Sequence, residues 1–283
     1  MNLHRSLGNK IARTIGFYIA VIVCLAFFLF PLWNTFVGAF SSASAVVAGK
    51  FSWFPKPFSW NYPQLMQMQV DPTVWRWFLN TILISAAVIP STVFSAFAAY
   101  GLARFRAPGS KVVFFCILST MMLPFTVTMI PKFIMFKTFG WIDTYWVFYS
   151  GVFGGSAGAI FLLRQFMKAI PKTIDEAAKV DGAGPFRIWW NIMLPNCIPV
   201  LIVVFITVLV GQWNDFMAPL IFLNSQEKFP ISVGILTLQA SAHATTQNVI
   251  MFTTLMVSIP MILLFLFCQK YFVKGVVMSG IKG

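Results

Sequence analysis

Polar residues that could do chemistry are concentrated in one stretch between two long apolar runs, beginning at Thr173. Thr173 and Glu176 have the spacing of a capping box, in which each side chain satisfies a free backbone N–H at a helix start. Asp175 and Glu176 also place negative charge at the positive end of this helix. The turn-forming residues 181–184 then end it, and Pro185 suits the first position of a second helix. The stretch therefore predicts two short helices joined by a hinge.

The rest of the sequence does not contain the residue patterns of an enzyme active site. A phosphate-binding loop has the sequence Gly-x-x-x-x-Gly-Lys-Ser/Thr. The only Gly-Lys pair in the sequence, Gly49-Lys50, is followed by Phe51, so this loop is absent. The two histidines, His4 and His243, belong to no Glu-x-x-His or His-x-x-x-His group. The four cysteines stand singly in or beside apolar runs, which indicates packing residues rather than disulfides or a metal site. The sequence predicts neither an enzyme nor a chain that hydrolyses ATP itself.

The composition is that of a membrane protein. Of the 283 residues, 59% are hydrophobic and 10% are charged, and the mean hydropathy is +0.82, whereas a soluble domain carries about 25% charged residues. Several apolar runs approach the roughly 20 residues that cross a bilayer, where the backbone must satisfy its own hydrogen bonds as helix. We predict an all-α, polytopic fold with the whole chain, 1–283, as one transmembrane domain. Its six spans are expected at about 15–40, 77–103, 112–131, 145–167, 194–211 and 249–268.

Small residues and prolines mark particular faces of these spans. The second span carries small residues four apart, at Ala87, Ser91, Ser95 and Ala99, which predicts a flat face for close helix packing. The fourth span contains several glycines, which are typical either of close helix–helix packing or of a flexible break in the helix. In the third span, Pro124 lies inside and Pro131 at the end. Prolines at membrane depth need protein or a wet cavity around the freed carbonyls, so this end is expected to border a pathway.

The distribution of basic residues sets the orientation. Of the 20 lysines and arginines, fourteen fall in segments that this layout places in the cytoplasm and six in outer segments. This bias predicts that both termini are cytoplasmic. The net charge of +13 does not indicate nucleic-acid binding, because the basic residues are scattered rather than grouped on one segment. The loop 168–193, which contains the polar stretch, is therefore predicted to be cytoplasmic.

The polar stretch closely resembles the EAA motif of ABC-importer permeases. The matching residues are Glu176, Ala177, Ala178, Gly182, Ile192, Leu194 and Pro195. The segment 213–216 and the chain end 278–283 further resemble the maltose-type carbohydrate-uptake permeases, specifically the smaller, MalG-like subunit. This resemblance implies an ABC type I importer transmembrane fold in a bacterial inner membrane. It also implies a role in moving a sugar or oligosaccharide inward by alternating access.

The resemblance also implies partners and sites. A second, MalF-like permease subunit would complete the pathway, an ATPase dimer would bind ATP and Mg, and an extracytoplasmic solute-binding protein would deliver the solute; this chain would hold no cofactor. The residues expected to couple to the ATPase are Glu176, Ala177, Ala178, Asp181 and Gly182. The residues expected to dock the tail between the ATPase subunits are Lys274, Gly280 and Lys282.

The solute and its site are left open by the sequence. Trp213, Asn214 and Asp215 are candidates for the translocation pathway, although an aromatic residue at a span end is more often an interfacial anchor. An ABC importer for a glycerol phosphate ester or a polyamine is the alternative within transport. A stand-alone secondary carrier is disfavoured, because all seven acids lie in loops or near span ends rather than at mid-membrane.

Overall fold

The computed structural model describes residues 2–49, 51–61, 74–241 and 247–280. Within these ranges the chain is helical, and its β-structure is limited to an isolated bridge between Ser41 and Phe58. Two compact units are formed, one from residues 1–69 with 237–258 and the other from 70–236 with 259–283. The single transmembrane domain stays a prediction.

The α-helices in chain order are α1 (Asn2–Ala39), α2 (Ala43–Val47), α3 (Val74–Ala86), α4 (Val88–Arg104), α5 (Ser110–Thr120), α6 (Phe125–Thr138), α7 (Trp146–Tyr149), α8 (Ala157–Ala169), α9 (Thr173–Val180), α10 (Pro185–Ile188), α11 (Leu194–Asn196), α12 (Ile198–Trp213), α13 (Met217–Phe222), α14 (Ile231–Ser241) and α15 (Gln247–Gly280). Short 3₁₀ turns cover Val152–Gly154 and Gln226–Lys228, and a π-helical turn covers Trp189–Met193. Among the described residues, four helical segments are long and apolar enough to cross a membrane. The predicted six spans are reached when each of two bent helix pairs counts as one.

In the first unit, the end of α1 is fixed by a buried amide. Asn61 is fully buried, and its Nδ2 donates to the carbonyls of Ala39 at 2.6 Å and Ser41 at 3.0 Å. The Phe40 ring stacks on Phe58, with 5.9 Å between ring centroids. An interior polar group of this kind is tolerated because its donors are satisfied. The aromatic loop after α1 is therefore folded back onto the helix end.

In the second unit, α4 packs closely against α8. Of the predicted small-residue face, Ala87, Ser95 and Ala99 are buried and Ser91 is half-buried, which confirms the close-packing prediction. The backbone N–H of Ser156 donates to Ser95 Oγ at 2.9 Å, and Gly155 has a φ of +66°. A Cβ at Gly155 would collide with Ser95. This glycine therefore serves both purposes that the sequence left open, since it breaks the fourth span and admits a close helix approach.

The third and fifth predicted spans are interrupted by sharp bends. The third span was predicted as one helix, but α5 and α6 meet at 100°. Pro124 caps α6 instead of lying within a helix, and Pro131 lies inside α6 rather than ending it. The fifth span starts at Ile198 rather than 194, because the preceding helical segment is bent by 81° at Cys197. Proline lacks the N–H that continues a helix and disfavours helical backbone in the residue before it.

The C-terminal part of the chain contains more helix than was predicted. Residues 221–247, predicted to form an outer loop, include α14, in which Ile231, Val233 and Leu238 are buried. The sixth predicted span, 249–268, agrees with the apolar segment Gln247–Lys270, and α15 continues beyond it to Gly280 through the segment predicted as a separate tail. That segment contains no proline to stop the helix.

On the predicted outer side, Asp143 organises the segment from Leu223 to Pro230. Its carboxylate accepts the backbone N–H groups of Asn224 and Ser225, each at 2.9 Å, and the Lys228 Nζ at 2.9 Å. The Ser225 hydroxyl also donates to it. Burial alone would raise the pKa of the Asp143 carboxyl, but these hydrogen bonds outweigh burial and hold the pKa well below its usual range.

The same segment is joined to α3 by side chains that bind its backbone. The Trp77 Nε1 donates to the carbonyl of Gln226 at 2.8 Å. The Asn80 Nδ2 donates to the carbonyls of Glu227 at 2.8 Å and Phe229 at 3.0 Å. These bonds satisfy carbonyls of a segment that lacks regular helix or strand partners. The segment is thus held between Asp143 and α3.

We expect Asp143→Asn to destabilise the folded protein by about 2 kcal/mol, because hydrogen bonds to a charged acceptor are replaced by neutral ones. Asn tolerates the left-handed backbone that Asp143 adopts at a φ of 62°. The folded-state pKa of Asp143 is lowered, so its stabilisation is complete above its ordinary pKa and is lost only in more acidic solution. The deficit measured by thermal unfolding of purified protein should therefore be equal at about pH 5 and about pH 8.

The matched control is Asp181→Asn, at an exposed acid of the same type. A stability loss that appears equally in both variants, or one that vanishes at about pH 5, would contradict the assigned role of Asp143.

Candidate functional site

The start of α9 differs from its prediction. Lys172 is the N-cap and already has helical backbone angles, with φ −70° and ψ −22°, and no side chain caps the helix. The N–H of Glu176 donates to the carbonyl of Lys172 at 3.0 Å. The predicted capping box between Thr173 and Glu176 is therefore wrong. The helix begins one residue earlier than the box requires, so Thr173 lies inside its first turn.

The end of α9 agrees with the predicted hinge. Gly182 has a φ of +77°, which a residue with a Cβ rarely adopts. Its N–H donates to the carbonyl of Lys179 at 3.0 Å, and the N–H of Ala183 donates to that of Ala178 at 2.9 Å. This bond pair is a Schellman motif, which satisfies the last carbonyls of a helix. Pro185 then occupies the first turn of α10, as predicted.

The residues predicted to act in coupling lie on different faces of this segment. Ala178 is buried, with 6% of its surface exposed. The exposed ones are Glu176, Ala177, Asp181 and Gly182. Two apolar side chains share this exposure, Val180 at 88% and Phe186 at 64%. The structure thus brings four of the five predicted residues to the surface and places the fifth in the core.

Asp175 is the second buried residue of α9, and its partner was missed by the sequence analysis. Its Oδ2 lies 2.8 Å from the Nε of Arg104, and the two side chains are only 10% and 5% exposed. The Arg104 Nη2 also donates to the carbonyl of Ile170 at 3.0 Å and lies 3.7 Å from the Met193 sulfur. The signal available in the sequence was the three-residue spacing of Asp175 and Ala178, which puts both on one helix face.

The hydrophobic core beneath α9 is formed by residues from α4, α8, α9, α10, the π-helical turn and α12. Its buried members include Ala99 and Tyr100 of α4, Leu163 and Met167 of α8, Ala178 of α9, Ile188 of α10, Trp189 and Met193 of the π-helical turn, Cys197, and Val204 of α12. The π-helical turn precedes Pro195, which has no N–H to donate into a regular turn. The short helical segments after the hinge therefore pack on the same core as the long helices α4, α8 and α12.

The residues predicted for the pathway do not form a cluster of free polar groups. Trp213 ends α12, is 6% exposed, and meets the Phe78 ring edge-on at 6.0 Å. Asn214 is exposed, but its Nδ2 donates to the carbonyl of Val210 at 2.8 Å. The Oδ1 of Asp215 accepts the N–H of Ala218 at 3.3 Å. Their role in a pathway stays a prediction.

The predicted docking residues of the tail are only partly described. Lys274 and Gly280 fall within α15, while Lys282 lies outside the described residues. In the part of the chain that the structure describes, no three His, Cys, Asp or Glu residues are grouped so that they could hold a metal ion.

Comparison with known proteins identifies the family. Residues 91–278, which include α9 and the hinge, match the family described as binding-protein-dependent transport system inner membrane component. This chain belongs to that family. It is therefore a permease component of a transport system in the inner membrane, as the sequence analysis predicted.

Relatives of similar length support the assignment. The arabinooligosaccharides transport system permease protein AraQ of Bacillus subtilis is 30% identical to this permease over 97% of this chain and 96% of its own. The sn-glycerol-3-phosphate transport system permease protein UgpE of Agrobacterium fabrum is 30% identical over 95% and 98%. A chain of a bacterial ABC transporter involved in import of the acidic polysaccharide alginate superposes with a TM-score of 0.80 at 24% identity, covering 94% of this chain and 98% of its own. The predicted transmembrane fold of ABC importers is confirmed.

We expect Gly182→Ala to destabilise the hinge by about 1–2 kcal/mol, because a Cβ is disfavoured in the left-handed conformation. No neighbouring atom lies within 4 Å of the added carbon, so the cost is one of backbone conformation alone. Thermal unfolding of the purified permease is the measurement. Gly184→Ala is the matched control, because Gly184 is equally open but has a φ of −70°. A loss of similar size in both variants would argue against the Schellman turn.

Proposed function

We propose that this permease imports a carbohydrate as one of two permease subunits, driven by separate ATPase subunits that dock on the exposed side of α9. The observation that carries this proposal is a short helix with one face buried on the core and the other face open, in a loop predicted to be cytoplasmic. Glu176 and Val180 lie on that open side. The eight residues of α9 are too few to cross a membrane, so its open face is available to a soluble partner.

The chemistry of the open face suits a protein partner. Val180 and Phe186 expose apolar surface, and Glu176 and Arg187 supply charge beside it. Exposed apolar groups rimmed by polar ones are typical of protein–protein contacts. We expect Glu176 to pair with a basic residue of the ATPase and Gly182 to permit the turn beside the contact. Ala177 and Asp181 complete this surface, and Ala178 anchors it from below.

The names of the relatives favour a carbohydrate. Two of them are named for the transport of arabinooligosaccharides, and the similar solved chain comes from an importer of a polysaccharide. Other relatives, named for sn-glycerol-3-phosphate transport, favour a glycerol phosphate ester as the alternative solute. Both groups resemble this chain at nearly equal identity, so the solute must be identified by experiment.

In the proposed transporter, the partner ATPase subunits supply the energy for transport. ATP and Mg would be bound by the ATPase dimer, and no catalytic step is assigned to this chain. A MalF-like permease would supply the other half of the pathway, and an extracytoplasmic binding protein would deliver the solute. Trp213, Asn214 and Asp215 are proposed to lie near the pathway. Lys274, Gly280 and Lys282 are proposed to reach the ATPase subunits.

The direct test is purification of this chain from its native membrane with its bound partners. We expect to recover an ATPase and a second permease, identified by mass. ATP hydrolysis by this complex should then be stimulated by one binding protein loaded with an arabinooligosaccharide or a related sugar. Stimulation by a glycerol phosphate ester alone would establish the alternative solute. Transport by the chain alone in liposomes, without nucleotide, would refute the proposal in favour of a secondary carrier.

We expect Glu176→Lys to lower solute uptake about tenfold or more, because reversing one charge in a protein contact costs at least the 1.4 kcal/mol that a factor of ten requires. The substitution lies on an exposed helix face, so the permease should still fold and insert. Uptake into proteoliposomes and ATPase recovery on purification are the measurements.

Lys111→Glu serves as the control, since it reverses an exposed charge in a predicted cytoplasmic segment without touching α9. Uptake at the wild-type rate by the Glu176→Lys complex would remove Glu176 from the proposed contact.

A further inference from the structure

The ion pair between Arg104 and Asp175 differs from the other ion pairs among the described residues. Its side chains are 5% and 10% exposed, whereas those of Arg76 and Glu227 are 52% and 51% exposed. The pair of Lys228 with Asp143 is intermediate, at 33% and 23%. The interior pair thus lies beneath the helix that we propose to contact the ATPase.

A gain in folding stability does not by itself explain a buried ion pair. Removing two charges from water costs about as much as their attraction returns, and well-packed apolar residues of similar volume often stabilise a core more. What this ion pair adds is a fixed point of contact, because the buried charges attract each other strongly only while Asp175 Oδ2 stays beside Arg104 Nε, at 2.8 Å. The buried pair therefore indicates a need for fixed geometry between α4 and α9.

Arg104 connects α4 to three other segments. It is the last residue of α4, and its guanidinium binds the Asp175 carboxylate of α9. The same guanidinium donates to the carbonyl of Ile170, which follows α8, and contacts Met193 in the π-helical turn. The fork of donors on an arginine suits such a junction, because several acceptors are bound by one rigid group.

Apolar packing by itself specifies the orientation of α9 poorly. Ala178 is the α9 side chain that contributes to the core beneath it, and a single methyl group offers little resistance to rotation. The other buried α9 side chain is Asp175. The two lie three residues apart on one face, so the ion pair holds one end of that face and Ala178 the other.

We propose that Arg104 is a positioning residue, which holds α9 in a fixed orientation to α4 and α8 so that a displacement of α9 moves both helices. This inference deepens the proposed function and rests on it. A rigid junction is needed because a helix that could tilt on its own would absorb the displacement locally. From Arg104 the motion reaches the close contact of α4 with α8 at Ser95 and Gly155.

The test compares variants of Arg104 and Asp175 in the complete transporter. Arg104→Met and Asp175→Leu each leave one charge unpaired in the core, so each is expected to lower thermal stability. The double variant removes both charges and should regain stability. It lacks the ion pair and the Arg104 hydrogen bond to Ile170, so we expect the solute moved per ATP hydrolysed to fall about fivefold in the double variant. Arg106→Met, at a nearby exposed arginine, is the matched control and should keep the wild-type ratio.

Arg104→Lys provides a second measurement that does not depend on the apolar core. It keeps the charge beside Asp175 but replaces the planar fork by a single ammonium group. This variant should assemble with its partners and lose severalfold in solute moved per ATP. A wild-type ratio in either the double variant or Arg104→Lys would overturn the positioning role and leave the pair a merely stabilising contact.

The two proposals fail in distinguishable ways. If the wild-type complex contains no ATPase, or its transport is independent of ATP, the proposed function itself is refuted. If the wild-type complex couples hydrolysis to uptake and the variants couple equally well, only the role of Arg104 is refuted.

Discussion

The part of the second unit around α9 depends on one constraint, the need of the buried Asp175 carboxylate for a fixed cationic partner. A carboxylate without such a partner would be too costly to keep charged in a core. Because Arg104 ends α4 and also donates to the carbonyl of Ile170 after α8, its pairing with Asp175 places α9 relative to both helices. The open face of α9 is exposed to solvent as a consequence.

Asp143 of the same unit likewise depends on fixed hydrogen-bond partners. Its carboxylate is tied mainly to backbone N–H groups and a lysine, so an irregular segment acquires one shape without regular secondary structure. Prolines and glycines contribute where helices must stop or approach closely. Pro124 separates α5 from α6, and Gly155 allows a backbone to contact Ser95. These residues explain why the apolar runs are not simple straight spans.

Membership in a family of inner membrane transport components fits this architecture. Long apolar helices supply the membrane part, and a short amphiphilic segment between α8 and α12 supplies a surface outside it. The solute stays a matter of proposal, because relatives named for sugars and for a phosphate ester are about equally similar. Neither Asn214 nor Asp215 offers an obvious carbohydrate site, since both side chains bind nearby backbone.

The sequence by itself determined the membrane class, the small-residue face of α4 and the turn at Gly182, because each follows from local composition or backbone preference. It misplaced the start of α9 and missed the breaks at Pro124 and Cys197, since boundaries depend on competing hydrogen bonds that local patterns do not rank. Only the tertiary structure decided that Asp175 is buried and paired with Arg104. The two residues are far apart in the chain, and no spacing rule connects groups that meet solely because two helices pack on one core.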